Sequence, residues 1–277
     1  AGALAMEQTS QGQRESPILI SNATEQAGRY VYCVARAGEK VSLGAIGIEG
    51  REVYTVVHND LCALVHHCRA QPYESRDPAG AAAWVLAHHE VVDAAWKRWG
   101  VVLPLTFNTI IMAKQGAAEE NLVAWLEAEY ESLKGKLDAL TGKAEFGVQV
   151  FWDPVLISKQ VAKSSPDITR LEEEMRSKPR GLAYMYRQKL EAMLKKAIEV
   201  KAAEEYKALY DMISRCVDVV HVEKTKQGPE GRQMLVNLSC LVSSEGYPDL
   251  DAELDKVSSR EGFFVRLAGP LPPYSFC

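Results

Sequence analysis

The stretch RYVYCVARA, residues 29–37, constrains the fold more than any other part of the chain. β-Branched and aromatic residues dominate it, which marks a strand. Strict alternation puts Tyr30, Tyr32 and Val34 on one side and Val31, Cys33 and Ala35 on the other, and both sides are largely apolar. A strand of that kind needs cover above and below, so it belongs inside a sheet. The chain must therefore build a layered core of strands and helices around it.

The neighbouring residues supply those layers. Val53–Val57 and Leu61–His67 read as two strands joined through a tight turn at Asn59-Asp60. Asp77 followed by Pro78 is an N-cap with proline at the first helical position, and Gly100 suits the end of the same helix. Residues 101–112, VVLPLTFNTIIM, predict a strand with Pro104 at an edge or bulge. A helix from about Ala117 to Leu133 and a strand AEFGVQVFW at 144–152, ended by Asp153-Pro154, complete a β-β-β-α-β-α-β order. That order contains a split β-α-β arrangement, an antiparallel sheet with helices on one face.

The second half differs. Residues 166–215 are helical and dense in charge of both signs, with Pro179 and Gly181 predicting two helices or a kink. Two strands follow, CVDVVHVE at 216–223 and RQMLVNLSCLV at 232–242, joined by the turn sequence KTKQGPEG. A short helix at Asp249–Ser258 and a strand GFFVRLAG at 262–269 finish the pattern. The strand before Asp153 is available as the first element of a second split β-α-β unit. The expected organisation is α+β in two domains: a disordered leader at 1–28, an N-terminal domain at 29–153, a helix-rich C-terminal domain at 154–269 and a tail at 270–277.

Composition narrows the function. With 47% apolar and 25% charged residues the chain can bury a sizeable core. A net charge of −5, from 32 basic and 37 acidic residues, speaks against nucleic acid or an anionic membrane surface as partner. No apolar run reaches the roughly eighteen residues of a membrane-spanning helix. Six cysteines without a CxxC pair predict reduced, mostly buried thiols in a cytoplasmic protein.

Chemical motifs are sparse. Cys62, His66, His67 and Cys68 include residue types that suit zinc, but neighbouring strand residues point to opposite faces and close ligand pairs are missing. His89 and Asp93, four apart on a helix, could orient an imidazole, yet no nucleophile accompanies them. There is no GxSxG, HExxH or phosphate-binding loop. No catalytic, cofactor-binding or metal residue is assigned, and no cofactor is expected. A metal-dependent or small-ligand enzyme built on His66, His67, His89 and Asp93 is the alternative from residue chemistry.

The ending LAGPLPPYSFC, residues 267–277, is the remaining anomaly. Pro270, Pro272 and Pro273 exclude a helix or a central strand and leave a stiff polyproline-like ribbon carrying Leu271, Tyr274 and Phe276. Those side chains need cover. A proline ribbon loses little entropy on ordering, which favours packing on its own molecule with the three residues locking the domains together. The other reading is a docking strip for a partner.

Four segments together carry a resemblance: YVYCV, HHEVVDAAWKRWGVVLPLTFNT, GKAEFGVQVFWD and GPLPPYSF. In this order and spacing they resemble the gas vesicle protein L/F (GvpL/GvpF) family. At Thr106 and Asn108 the family more often has Arg and Gly, and Leu271 stands where Trp is common. The resemblance implies a ferredoxin-like N-terminal domain and a helix-augmented, modified ferredoxin-like C-terminal domain with an ordered tail. It also implies a non-enzymatic assembly factor in the cytoplasm and gas vesicle. Its implied partners are the small hydrophobic major shell protein, kept from aggregating during vesicle nucleation, and other accessory proteins.

Overall fold

A computed structural model describes residues 27–113, 116–177 and 179–277. The leader expected at 1–28 therefore falls, up to residue 26, outside the described residues. The chain divides into two compact units, one made of residues up to 99 with 104–135, the other of 100–103 with 136–277. Among the described residues no helix is long and apolar enough to cross a membrane.

The first sheet contains β1 (Gly28–Ala35), β2 (Ser42–Gly44), β3 (Val53–His58), β4 (Leu61–Cys68), β5 (Val102–Pro104) and β6 (Ile110–Met112). The strand order is β2-β3-β4-β1-β5, with β6 also pairing β1. All eight residues of β1 are buried, as its two apolar faces require. The β3–β4 hairpin turns at Asn59-Asp60, and Asn59 takes the left-handed conformation (φ 55°) that asparagine tolerates. The segment 101–112 makes two short strands because residues 105–109 turn between them, stapled by Thr109 N–H to Thr106 O at 3.1 Å.

Helix α1 (Pro78–Trp99) starts as its sequence dictates: the Asp77 carboxylate accepts from Ala79 N–H at 3.2 Å and Gly80 N–H at 3.0 Å. The predicted second helix is broken at Glu129 into α2 (Ala118–Ala128) and α3 (Tyr130–Leu140). Helices lie on both faces of this sheet, not on one. Tyr30 reaches His88 of α1, whereas its neighbour Arg29, pointing the other way, pairs with Glu119 of α2 at 3.4 Å. This double cover is why β1 is buried throughout.

Strict alternation along β1 also fails. The register slips between Val31 and Cys33, so Tyr30 faces His66 while Cys33 faces Leu64. One extra residue in the strand is a β-bulge, and Tyr32 is the residue it re-aims.

The second sheet runs β10-β7-β9-β8, all antiparallel, from β7 (Lys143–Trp152), β8 (Val219–Val222), β9 (Gln233–Ser243) and β10 (Phe263–Leu271). The strand at 143–152 thus pairs within the second unit, whereas the sequence division closed the N-terminal domain after it at 153. Helix α4 (Pro154–Ser164) follows at once, capped by Asp153, whose carboxylate accepts from Val155 and Leu156 N–H at 2.8 and 3.1 Å. Then come α5 (Pro166–Arg176), α6 (Arg180–Cys216) and α7 (Tyr247–Ser258). Phe146, Val148, Val150 and Trp152 of β7 pack into one core with Leu209 and Ile213 of α6 and Leu250, Leu254 and Val257 of α7.

Candidate functional site

One face of the second sheet is spent on that core. The opposite face carries a polar row, Glu145 on β7 with Asn237 and Ser239 on β9, all buried. Buried polar groups must find partners: Asn237 accepts from Gln149 Nε2 at 3.2 Å and donates to Lys224 O at 2.7 Å, while the chain's last residues supply partners to Glu145 and Ser239. β10 continues to Leu271, which lies opposite Glu145 after a register shift past Ala268. Pro270 is accommodated because β10 is an edge strand, where a missing N–H leaves no ladder bond unmade. Pro272 and Pro273 are buried, and Tyr274–Phe276 close into a single 3₁₀ turn with Phe276 N–H bonded to Pro273 O at 3.2 Å.

This segment straps the outer face from one edge to the other. Ser275 donates its N–H to Glu145 Oε2 and its hydroxyl to Oε1, both at 2.7 Å. Its Oγ also lies 3.2 Å from Ser239 Oγ on the next strand. Phe276 then stacks on His221 of β8, ring centres 4.5 Å apart. The Cys277 thiol donates to Pro273 O at 2.9 Å. Of the three tail residues singled out by sequence, Phe276 and Tyr274 are half-buried on this face and Leu271 is 42% exposed at the strand end. The polyproline ribbon expected there gives way to edge strand and 3₁₀ turn, since Ser275 and Phe276 find acceptors and rings directly beneath them.

The far edge of the same sheet is open. β8 pairs with β9 through Val219–Val222, and no further strand joins its other side among the described residues. Val219 and Val222 are 41% and 60% exposed along it.

His66, His67 and Asp93, singled out together by sequence, do not converge on one site. His66 and His67 project to opposite faces of β4. His67 lies beside the Tyr54 ring at 5.2 Å, and burial with the Arg29 guanidinium holds it below the usual imidazole range. Asp93 pairs with Lys97 at 2.5 Å, one turn further along α1. Cys62 and Cys68 are buried thiols raised to about 12 and about 11 by desolvation. Among the described residues no group of three or more His, Cys, Asp or Glu side chains could hold a metal ion.

His66 and His88 belong instead to a buried network invisible to motif searching. Ile48 N–H donates to Tyr32 Oη at 2.9 Å, Tyr32 lies 2.7 Å from His66 Nδ1, and His66 Nε2 lies 2.9 Å from Tyr73 Oη. In parallel, Asn108 N–H donates to Tyr30 Oη at 3.2 Å and Tyr30 lies 2.9 Å from His88 Nδ1. Each tyrosine hydroxyl has a lone pair for the backbone N–H and a proton to give to imidazole Nδ1, the arrangement in which each ring carries its own proton on Nε2. Asn108 then clips Tyr73, accepting its N–H at 2.8 Å and donating to its carbonyl at 3.2 Å. The available sequence signal was the Y-x-Y pair on one strand facing histidine on the next.

A mixed helix-and-sheet chain with a strapped second sheet is the class defined so far. The profile of "Gas vesicle synthesis protein GvpL/GvpF" matches residues 28–277. The chain belongs to that family. It is 25% identical over 272 residues to gas vesicle protein L1 of Halobacterium salinarum, covering 95% of each chain. It is 28% identical to gas vesicle protein F of a Streptomyces species, covering 89% of this chain and 98% of that one. Its fold is similar to the crystal structure of GvpF from an Anabaena species, with a TM-score of 0.70 at 18% identity, over 90% of this chain and 98% of that one.

Proposed function

We propose that this protein is a non-enzymatic gas vesicle accessory factor that binds the apolar major shell protein and limits its aggregation during vesicle nucleation. The observation that carries the reading is the open edge of β8 with its two exposed valines beside the strapped face. An unpaired edge offers backbone donors and acceptors to an incoming strand, and the exposed side chains offer it apolar contact. Leu271, at the opposite edge, is a second apolar contact, while Tyr274 and Phe276 hold the strap in place. We also read each sheet as ferredoxin-like. The order last-first-third-second in β10-β7-β9-β8, and the same order in β5-β1-β4-β3, supports that reading.

The test is co-expression with the shell protein followed by sedimentation. Shell protein retained in the supernatant only when this chain is present is the expected result. Equal pelleting with and without it would overturn the proposal.

A further inference from the structure

We propose that the open edge of β8 selects a partner strand by the alternating pattern acidic-x-acidic-x-apolar-x-apolar, docked antiparallel. The choice of a polypeptide strand as occupant rests on the reading of β8 as the docking edge. That edge is longer than β8 itself. Val219 lies opposite Leu241, and an isolated bridge further on sets Gln227 opposite Gln233, so the register runs on with no residue gained or lost. Between them Glu223 N–H donates to Asn237 O at 2.8 Å, and Asn237 Nδ2 donates to Lys224 O at 2.7 Å. Residues 219–227 thus follow β9 as one extended segment, about 30 Å long at ~3.3 Å per residue. All of them are exposed except Val220 and the half-buried end of the bridge is Gln233, on the other strand.

An unbroken register carries the two-residue alternation with it. Val220 packs at the rim of the core, so Val222, Lys224 and Lys226 share its face. His221 and Glu223 lie on the other face, where His221 stacks on Phe276 and Glu223 accepts from Ser239 Oγ at 3.2 Å. The two ends of the edge differ in charge. Asp218, at the start, is already met by Lys143 Nζ at 3.2 Å and by Ser243 N–H at 3.0 Å. Lys224 and Lys226, at the far end, are exposed, and their ammonium groups have no hydrogen-bond or ion-pair partner among the described residues. Residues opposite one another in a strand pair interact side chain to side chain. An incoming strand therefore gains most from apolar residues opposite Val220 and Val222 and carboxylates opposite Lys224 and Lys226. This sheet is antiparallel throughout, and an antiparallel newcomer meets Lys226 first, which sets the order of its residues. A second copy of the same edge does not fit. Paired over the whole of 219–227 it would bring the two Glu223 carboxylates face to face and set each lysine against a valine.

The experiment is an amide NMR titration of the full chain with three capped octapeptides: Glu-Thr-Glu-Thr-Val-Thr-Val-Thr, Lys-Thr-Lys-Thr-Val-Thr-Val-Thr and Glu-Thr-Glu-Thr-Ser-Thr-Ser-Thr. Saturating shifts at residues 219–227 are expected from the first. The second should bind roughly tenfold more weakly, two exposed attractions having become two repulsions. The third, without its apolar pair, should also bind more weakly than the first. In the double variant Lys224→Glu, Lys226→Glu the order of the first two peptides should invert, which no loss of structure can produce. Should its amide spectrum not be native, Lys224→Gln with Lys226→Gln takes its place, and there the preference should vanish. Shifts mapping elsewhere, none at all, binding indifferent to charge or to the valines, or an order that survives the lysine changes would each overturn the assignment. Shell protein retained in the supernatant with no peptide preference would sink this inference alone. A peptide preference without shell retention would leave it standing and remove the shell protein as client.

Discussion

The hydroxyl of Tyr32 lies 2.7 Å from Nδ1 of His66, and both side chains have no exposure to solvent. Neither is replaceable by its apolar counterpart without stranding the other. Tyr32→Phe would also orphan the Ile48 N–H, which has Tyr32 Oη as its acceptor. A buried donor or acceptor left unmet costs about 1–3 kcal/mol. Urea unfolding should show a lower midpoint with an unchanged slope, and an unaltered midpoint would contradict the network.

Acid should destabilise the first unit through the same histidines. Burial holds His66 down to about 3 and His88 to about 4, against 6.5 ordinarily. Both rings stay neutral in the native protein over a range where the unfolded chain binds two protons. Their contribution is whole above about pH 6.5 and is lost as pH falls toward the folded values. The slope reaches ~2.7 kcal/mol per pH unit, two groups at ~1.36 each. Urea midpoints between about pH 6 and 5 test this, and His88→Gln should remove roughly half of the slope.

Strap and sheet are joined most firmly at Ser275. Replacing it with alanine removes the hydroxyl that Glu145 accepts at 2.7 Å, leaving a buried carboxylate one donor short. A loss of about 1–3 kcal/mol is expected in thermal or urea unfolding. Leu271→Ala, at a 42% exposed position, should cost well under that, and the contrast between the two is the measurement.

Val222 separates stability from binding. At 60% exposure its replacement by lysine should change unfolding free energy by no more than about 0.5 kcal/mol. A charge on an open edge nevertheless blocks strand addition. Retention of the shell protein in the supernatant should therefore collapse in Val222→Lys while the melting curve stays put. Wild-type retention of the shell protein by this variant would exclude β8 as the docking edge.

Asn108 makes a ranked prediction. Glycine adopts φ 70° without strain but loses the clip on Tyr73, whereas alanine loses the clip and keeps the strain. Alanine should be the less stable by about 1 kcal/mol, measured as the difference in urea midpoints.

What was legible in the sequence is what neighbouring residues decide among themselves. The turn at Asn59-Asp60, the Asp77-Pro78 helix start and the Gly100 stop are local, and all stand as the residues imply. Asp153-Pro154 carries the same helix-start signal as Asp77-Pro78, yet it was read only as a strand end. Long-range partners were not legible. Nothing near Arg29 announces Glu119, 90 residues on, so the helix expected at 117–133 was read onto the same face as the first and not onto the second. The bulge after Val31 is equally silent, because it answers to β4 and not to its own residues. In the tail, the prolines announced a stiff ribbon and excluded helix and central strand, but could not name the edge of the second sheet, or Glu145 and His221, as the surfaces it meets.

The placement of β7 has a consequence for the order of events as the chain is made. It is the first strand of its sheet in sequence, yet it sits between β9 and β10, both of which come after the long helix α6. During synthesis the second unit's central strand must wait, with both edges bare, until residues 233–271 have left the ribosome. Helices α4 to α6 can wind meanwhile on local signals, but the sheet has no means of closing early.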